Sequence, residues 1–296
     1  MFLSCIAAAL LVPTIWIVDA NNGPGAHFTD LPAAVAEAQS GDTLIVRAGG
    51  YTPFAVSGKA LTIRGAGSSG LEQTSVLTAV GAPPTVGVTR IENVPQGQTF
   101  FIDGVNFRPG FSLATFGSML EVVGSSTEVV LADCEVSGYV GNNGDALVVD
   151  GSAVHAFRSK LSGGNRGASQ FTGGFGGDGA SVRNGGVLTA DSCQFFGGFG
   201  GNLVPGSIAG DGVRVESARA ELHRSSCTAG ASVSAIGTTS GASGLSASSG
   251  STVDVFGSAA NVLQGGIVPV AIGVVGGAGV RADATSAVDV YGAVTI

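Results

Sequence analysis

Lysine is nearly missing from this chain. Its 296 residues hold two, Lys59 and Lys160, beside eleven arginines that never cluster. Only 11% of the residues are charged and the net charge is −8. Phosphate neutralisation needs clustered positive charge, so nucleic-acid binding is excluded. No apolar run approaches the roughly 20 residues that cross a membrane as a helix, which excludes a membrane span. The longest, Phe2 to Val12, has the composition of a secretory h-region, although no Lys or Arg precedes it. Residues 1–15 therefore read as a truncated signal peptide, with a buried first strand or a disordered tail as the competing reading, and the leader implies a secreted or cell-surface protein. Leu3-Ser4-Cys5 has the form of a lipoprotein cleavage box, but it lies too close to Met1 for a complete signal. Cysteine is scarce too. Outside the leader stand Cys134, Cys193 and Cys227, an odd number with no closely spaced cysteine pair, which argues against a zinc site.

Glycine is abundant at 50 residues, and with it comes a repeat. The pattern apolar–x–apolar–x–turn–small–x–apolar starts at Phe100, Val129, Val154, Leu188, Leu222, Val253 and Val288, at intervals of 29, 25, 34, 34, 31 and 35. Strand-type alternation at such a period means a solenoid, in which each turn buries its inner face only by stacking on its neighbours. The small position holds Val105, Cys134, Ser159, Cys193, Cys227, Ser258 and Ala293 and reads as one inward column. Side chains in a column run parallel, which suits free packed thiols better than a Cys193–Cys227 bridge. A second column, Asp145, Asp178, Asp211, Ser243 and Ala278, recurs at 33, 33, 32 and 35. Long loops precede it, at about 162–177, 196–210, 230–242 and 264–277, and gather on one edge of the stack.

The opening is more specific. Thr29 to Gln39 reads as a helix with Thr29 or Asp30 as cap and Pro32 in its first turn. Gly41-Asp42-Thr43-Leu44-Ile45-Val46 and Gly50-Tyr51 follow. This Ala-rich helix, Gly-Asp-Thr strand and Gly-Tyr turn resemble the start of right-handed parallel β-helix proteins of the pectin-lyase-like superfamily. The resemblance implies an all-β fold: a single-stranded right-handed parallel β-helix of about eight coils with a short N-terminal capping α-helix. The β-helix domain then spans 16–296. Because the last strand runs into Ile296 without a capping pattern, the domain reads as one lacking its C-terminal cap.

The resemblance carries no catalytic residue across. Pectate lyases of that group use calcium on clustered aspartates with an arginine base. Polygalacturonases use three aspartates, two of them adjacent, with Gly-His-Gly and Arg-x-Lys. Pectin methylesterases use two aspartates with an arginine. The sequence has no Asp-Asp pair, no Gly-His-Gly and no Arg-x-Lys. Whether the chain is an enzyme stays open, with the missing motifs leaning against it.

Two weaker constellations remain. Asp145, Asp178 and Asp211 would stack carboxylates about 5 Å apart, a set that repels, takes up protons or recruits calcium, the one cofactor the sequence suggests. The alternative is that each Asp caps its own turn. The runs Phe171–Asp178 and Phe195–Asn202 echo a calcium-binding Gly-Gly-x-Gly-x-Asp nonapeptide, but they stand 24 residues apart and the second ends in Asn. In the same loops Phe175 and Phe199 could stack on sugar rings, with Arg166 adding an anion contact; packing back onto the coil is the alternative. His155, His223, Arg158 and Arg224 read as solvent-facing or turn residues. The expectation is an exported or cell-surface β-helix protein, not a catalyst, that binds or displays at a surface, its partner a polysaccharide or another surface protein. The alternatives are a polysaccharide lyase, hydrolase or epimerase with an unrecognised site, and a structural repeat segment of a longer surface protein.

Overall fold

A computed structural model describes residues 12–70, 72–77, 88–109, 117–139, 144–165, 176–200, 208–231, 242–257, 262–265 and 278–296. The chain winds into a single-stranded parallel β-helix walled by one ten-stranded and two eight-stranded sheets. Beyond the first strand, Ile15–Val18, strands pair in parallel with those one turn earlier and one turn later and not with the next strand along the chain. One turn shows the plan. Ala153–Phe157 lies in the ten-stranded sheet, Lys160–Ser162 in the second sheet and Ala180–Arg183 in the third, called here the front sheet. Period-2 alternation puts Val154 and Ala156 inside, with His155 and Phe157 on the outer face.

The corner between the first two sheets is made by a single residue with positive φ: Gly104 (64°), Asp133 (49°), Arg158 (43°), Ser192 (58°) and Arg224 (47°). A second corner, from the front sheet back to the first, uses Asn93, Gly124, Gly151, Asn184, Ser217 and Ser249 in the same way. Asn and Gly tolerate this region best. Arg158 and Arg224 tolerate it while forming charge-assisted hydrogen bonds to Asp133 and Asp191, the acid one turn earlier in each case.

These corners correct one register. Ala220, not Leu222, stands opposite Leu188, and Leu222 stands opposite Ala190. A shift of two residues keeps every side chain on its face, so alternation alone cannot tell the two registers apart. The inward small column is therefore Val105, Cys134, Ser159, Cys193 and Ser225, with Cys227 next to Phe195 in the adjoining column. Packing explains the exchange. One layer combines Ala190 with Phe195; the next combines Leu222 with Cys227, so a larger residue on one wall is matched by a smaller one on the other. The three thiols are free and buried, and burial pushes Cys134 up to about 12 and Cys193 to about 11. Ser258 and Cys5 lie outside the described residues.

The capping helix, α1, spans Leu31–Glu37 and is shorter than the expected span. Asp30 is its N-cap, accepting the Leu31 N–H at 2.8 Å, and Leu31, Ala34 and Val35 are buried. It packs against the strands Ile15–Val18 and Ala55–Ser57. Helical backbone ends at Ala38 (φ −61°, ψ 143°). The Lys59 ammonium donates to the carbonyls of Val35, Ala36 and Ala38 at 2.8, 3.1 and 2.7 Å, satisfying acceptors that the helix leaves open. The leader reading, residues 1–15, falls mostly on residues 1–11, outside the described residues; the first strand starts at Ile15 and pairs with Thr43–Val46.

Candidate functional site

The second column of the repeat is a ladder. The Asp178 N–H donates to Asp145 Oδ1, the Asp211 N–H to Asp178 Oδ1 and the Ser243 N–H to Asp211 Oδ1, each at 2.7 Å. Each aspartate thus caps the backbone of the next turn rather than its own. Repeat lengths of 33, 33 and 32 residues make this possible, since they return the same position to the same corner. Ser243 ends the ladder, with its own hydroxyl buried and unpartnered among the described residues.

Glycines let the backbone come this close. The Gly164 N–H donates to Gly144 O, Gly177 to Gly164, Gly198 to Gly177, Gly210 to Gly198 and Gly230 to Gly210, at 2.7–3.0 Å. These residues leave or re-enter the coil at the ends of the long loops and form a zigzag of main chain without side chains. A Cβ at Gly164 would lie 1.6 Å from Tyr139 O, and one at Gly177 2.1 Å from Gly144 O.

Beside the ladder the front sheet carries an outward column of Glu121, Val148, Ser181 and Arg214 on successive turns, about 14 Å from end to end. Ladder and column line an open hollow of about 490 Å³, completed by Arg183, Glu216, Gly176 and Ala209 among others. Its arginines are paired with carboxylates. Arg214 Nε lies 3.1 Å from Asp178 Oδ2 and 3.3 Å from Asp211 Oδ2, and its Nη2 donates to Asp178 Oδ1 at 3.3 Å. Arg90 meets Glu121 at 2.7 Å and Glu92 at 2.8 Å, and Arg183 meets Asp150 at 2.9 Å. Burial, joined by the like charge of Asp145, pushes Asp178 well above the ordinary carboxylate range against the pull of Arg214. Burial also raises Asp145. Burial works against the charge on Arg214, but Asp178, Asp211 and Asp145 outweigh it and hold the guanidinium more firmly protonated.

The structure thus brings Asp145 and Asp178 to one hollow, with Asp211 just behind. The residue that sequence reasoning missed is Arg214. A signal for it exists: the outward position three residues after each ladder aspartate is Val148, Ser181 and Arg214 in turn, so one turn alone carries a cation there. Calcium does not fit the ladder. The ion takes six to eight oxygens, whereas an oxygen of each aspartate is committed to a backbone N–H and two of the carboxylates face a guanidinium. Among the described residues no three His, Cys, Asp or Glu side chains converge as a metal cage.

Phe199 is 52% exposed, so its ring does not fold back as core; its N–H donates to Asn165 Oδ1 at 2.9 Å. Phe175 and Arg166 lie outside the described residues. His155 and His223 sit on the outer face of the ten-stranded sheet, beside Phe157 and stacked on Phe256 respectively. Among the described residues no helix is long and apolar enough to cross a membrane.

Among solved structures, the chain is similar to pectin methylesterase from carrot, with a TM-score of 0.44 and 16% identity over 93% of this chain and 90% of that one. It is also similar to pectate lyase Pel9A, with a TM-score of 0.41 and 15% identity over 89% of this chain and 78% of that one. No family model and no curated protein matches the sequence.

Proposed function

We propose that the chain is an exported or cell-surface β-helix protein that holds a neutral, hydroxyl-rich glycan in the hollow on its front sheet without turning it over. The observation that carries this reading is an open hollow whose arginines are each paired with carboxylates. Arg90, Arg183 and Arg214 are each fixed by carboxylates while their side chains stay 42–45% exposed. Such pairs offer oriented donors and acceptors without a net positive field. Sugar hydroxyls, which donate and accept, match them; a polyuronate finds no unpaired cation among the described lining residues and a further carboxylate in Glu216. On the loop side Phe199 offers an exposed apolar ring for the C–H face of a sugar.

A glycan array tests the reading. Neutral polysaccharides should be retained over polyuronates. Phe199→Ala should weaken binding by about 0.5–1.5 kcal/mol with the coil still folded. An array on which no glycan is retained would sink it.

One observation favours a second reading, an enzyme acting on a polysaccharide. Asp178, Asp211 and Arg214 place two carboxyls and a guanidinium within 3.3 Å at the hollow, the composition used by the pectin methylesterases of the group that the sequence resembles. Against it, Asp178 and Asp211 are only 3% and 5% exposed. Methanol release from methyl-esterified pectin, abolished in Asp178→Asn, would replace the first reading by the second.

A further inference from the structure

We propose that Asp145 and Asp178, the first two rungs of the ladder, keep a proton between them when the chain is folded, and that losing it as pH rises loosens the turns flooring the hollow. The inference concerns regulation of that hollow and, in that respect, rests on reading it as the binding site. Three carboxylates stand in line, one turn apart, each tied at 2.7 Å to the backbone of the next turn. A single guanidinium, Arg214, touches Asp178 and Asp211. Among the described residues no cation lies within ion-pair distance of Asp145. The other charged groups facing the ladder do not restore the balance: Arg183 is spent on Asp150, Glu121 is held by Arg90 and the Ser118 hydroxyl, and Glu216 adds a further negative charge.

Fully ionised, the set would hold three negative charges against one positive, with Asp178 and Asp211 all but shut off from water. Like charges this close in a dry site do not all ionise. Asp145 and Asp178 then titrate together, and the proton belongs to the pair rather than to one residue. The raised Asp145 and Asp178 agree with this. The sign of the effect follows. A carboxyl that binds its proton more tightly when folded stabilises the fold below its unfolded value, about 3.9 for aspartate, and that stabilisation is lost as pH rises through the raised folded value. What loosens first is what the ladder holds: the N–H groups of Asp178, Asp211 and Ser243, beside the glycine zigzag and Arg214.

Amide hydrogen exchange on the full chain between pH 5 and pH 8 tests this without any glycan. Buried amides of the ten-stranded sheet, Leu188 and Ala190, serve as internal reference for the intrinsic pH dependence. Protection at Asp178, Asp211 and Ser243 should fall by about tenfold or more relative to that reference, the equivalent of one pKa unit. Asp145→Asn keeps an oxygen acceptor for the Asp178 N–H and removes one like charge, so the relative fall should disappear. Protection that tracks the reference throughout, or a fall undiminished in Asp145→Asn, overturns the proposal. Should that variant not fold, infrared spectra of the unaltered chain with labelled aspartate carboxyls decide: a protonated carboxyl persisting above pH 6 supports the ladder proton, and its absence overturns it. A ladder that behaves as described in a protein retaining no glycan would leave the inference standing and remove the binding reading; glycan binding with a pH-silent ladder would do the reverse.

Discussion

At the scale of single residues, the long loops depend on glycines chosen for closeness rather than for φ. Gly164 is the sharpest case. A methyl there would sit 1.6 Å from Tyr139 O, and the backbone cannot retreat because its N–H donates to Gly144 O at 2.7 Å. Gly58 is the control, since its Cβ would meet nothing within 4 Å although its φ is 71°. Gly164→Ala should cost about 1–3 kcal/mol or more through overpacking, and Gly58→Ala only about 1 kcal/mol through backbone strain. Urea unfolding of the two variants checks the order; equal losses would mean that the zigzag yields easily. Neither role is legible in the sequence, where both are one glycine among many. Cys227 shows the same limit. Its spacing after Cys193 suggested a shared column, yet neighbouring layers trade volume between Ala190 with Phe195 and Leu222 with Cys227, and only the cross-turn pairing reveals that trade.

At the scale of elements, the capping helix was legible because its signals are local: Asp30 as cap, Pro32 in the first turn, and an apolar face at Leu31, Ala34 and Val35. Its end was not, because the partner that closes it lies on another segment. Lys59 satisfies three carbonyls of the last turn from across the coil. Lys59→Met keeps most of the stem and loses the ammonium, so the helix should lose about 1–2 kcal/mol. Amides of the helix should then exchange faster while those of Thr43–Val46 hold. Unchanged exchange in the helix would show that solvent satisfies those carbonyls equally well. The aspartate ladder divides likewise: its period is written in the sequence, whereas its hydrogen-bond partner one turn on and the Arg214 brace exist only once loop lengths have returned each corner to the same place.

At the scale of the molecule, a solenoid has no single centre. Each turn touches only its neighbours, so stability is a sum over turns and the interfaces between them. That sum is uneven here. Among the described residues, the fully buried aromatic and isoleucine side chains are Ile63, Ile91, Phe100, Ile102, Phe107 and Tyr139 in the helix-capped half and Phe195 alone beyond it, where the core continues with Leu161, Leu188, Leu222 and Leu245. Single later turns also narrow a wall position to alanine: Ala180 stands opposite Leu147, Ala220 opposite Leu188 and Ala247 opposite Val215. Apolar burial scales with side-chain size, at roughly 25 cal/mol per Å², so the later interfaces are the weaker ones. In mild urea, amides of Leu245–Ser248 and Thr252–Phe256 should therefore exchange before those of Phe100–Asp103, by opening from the later turns inward. Leu188→Ala, at a fully buried site where the later half begins to narrow, should cost about 2–5 kcal/mol. It should widen the gap, freeing the later turns while Phe100–Asp103 stays protected. A chain in which all these strands exchange together, before and after the substitution, would instead be one cooperative unit, and the size gradient along its core would have no bearing on how it opens.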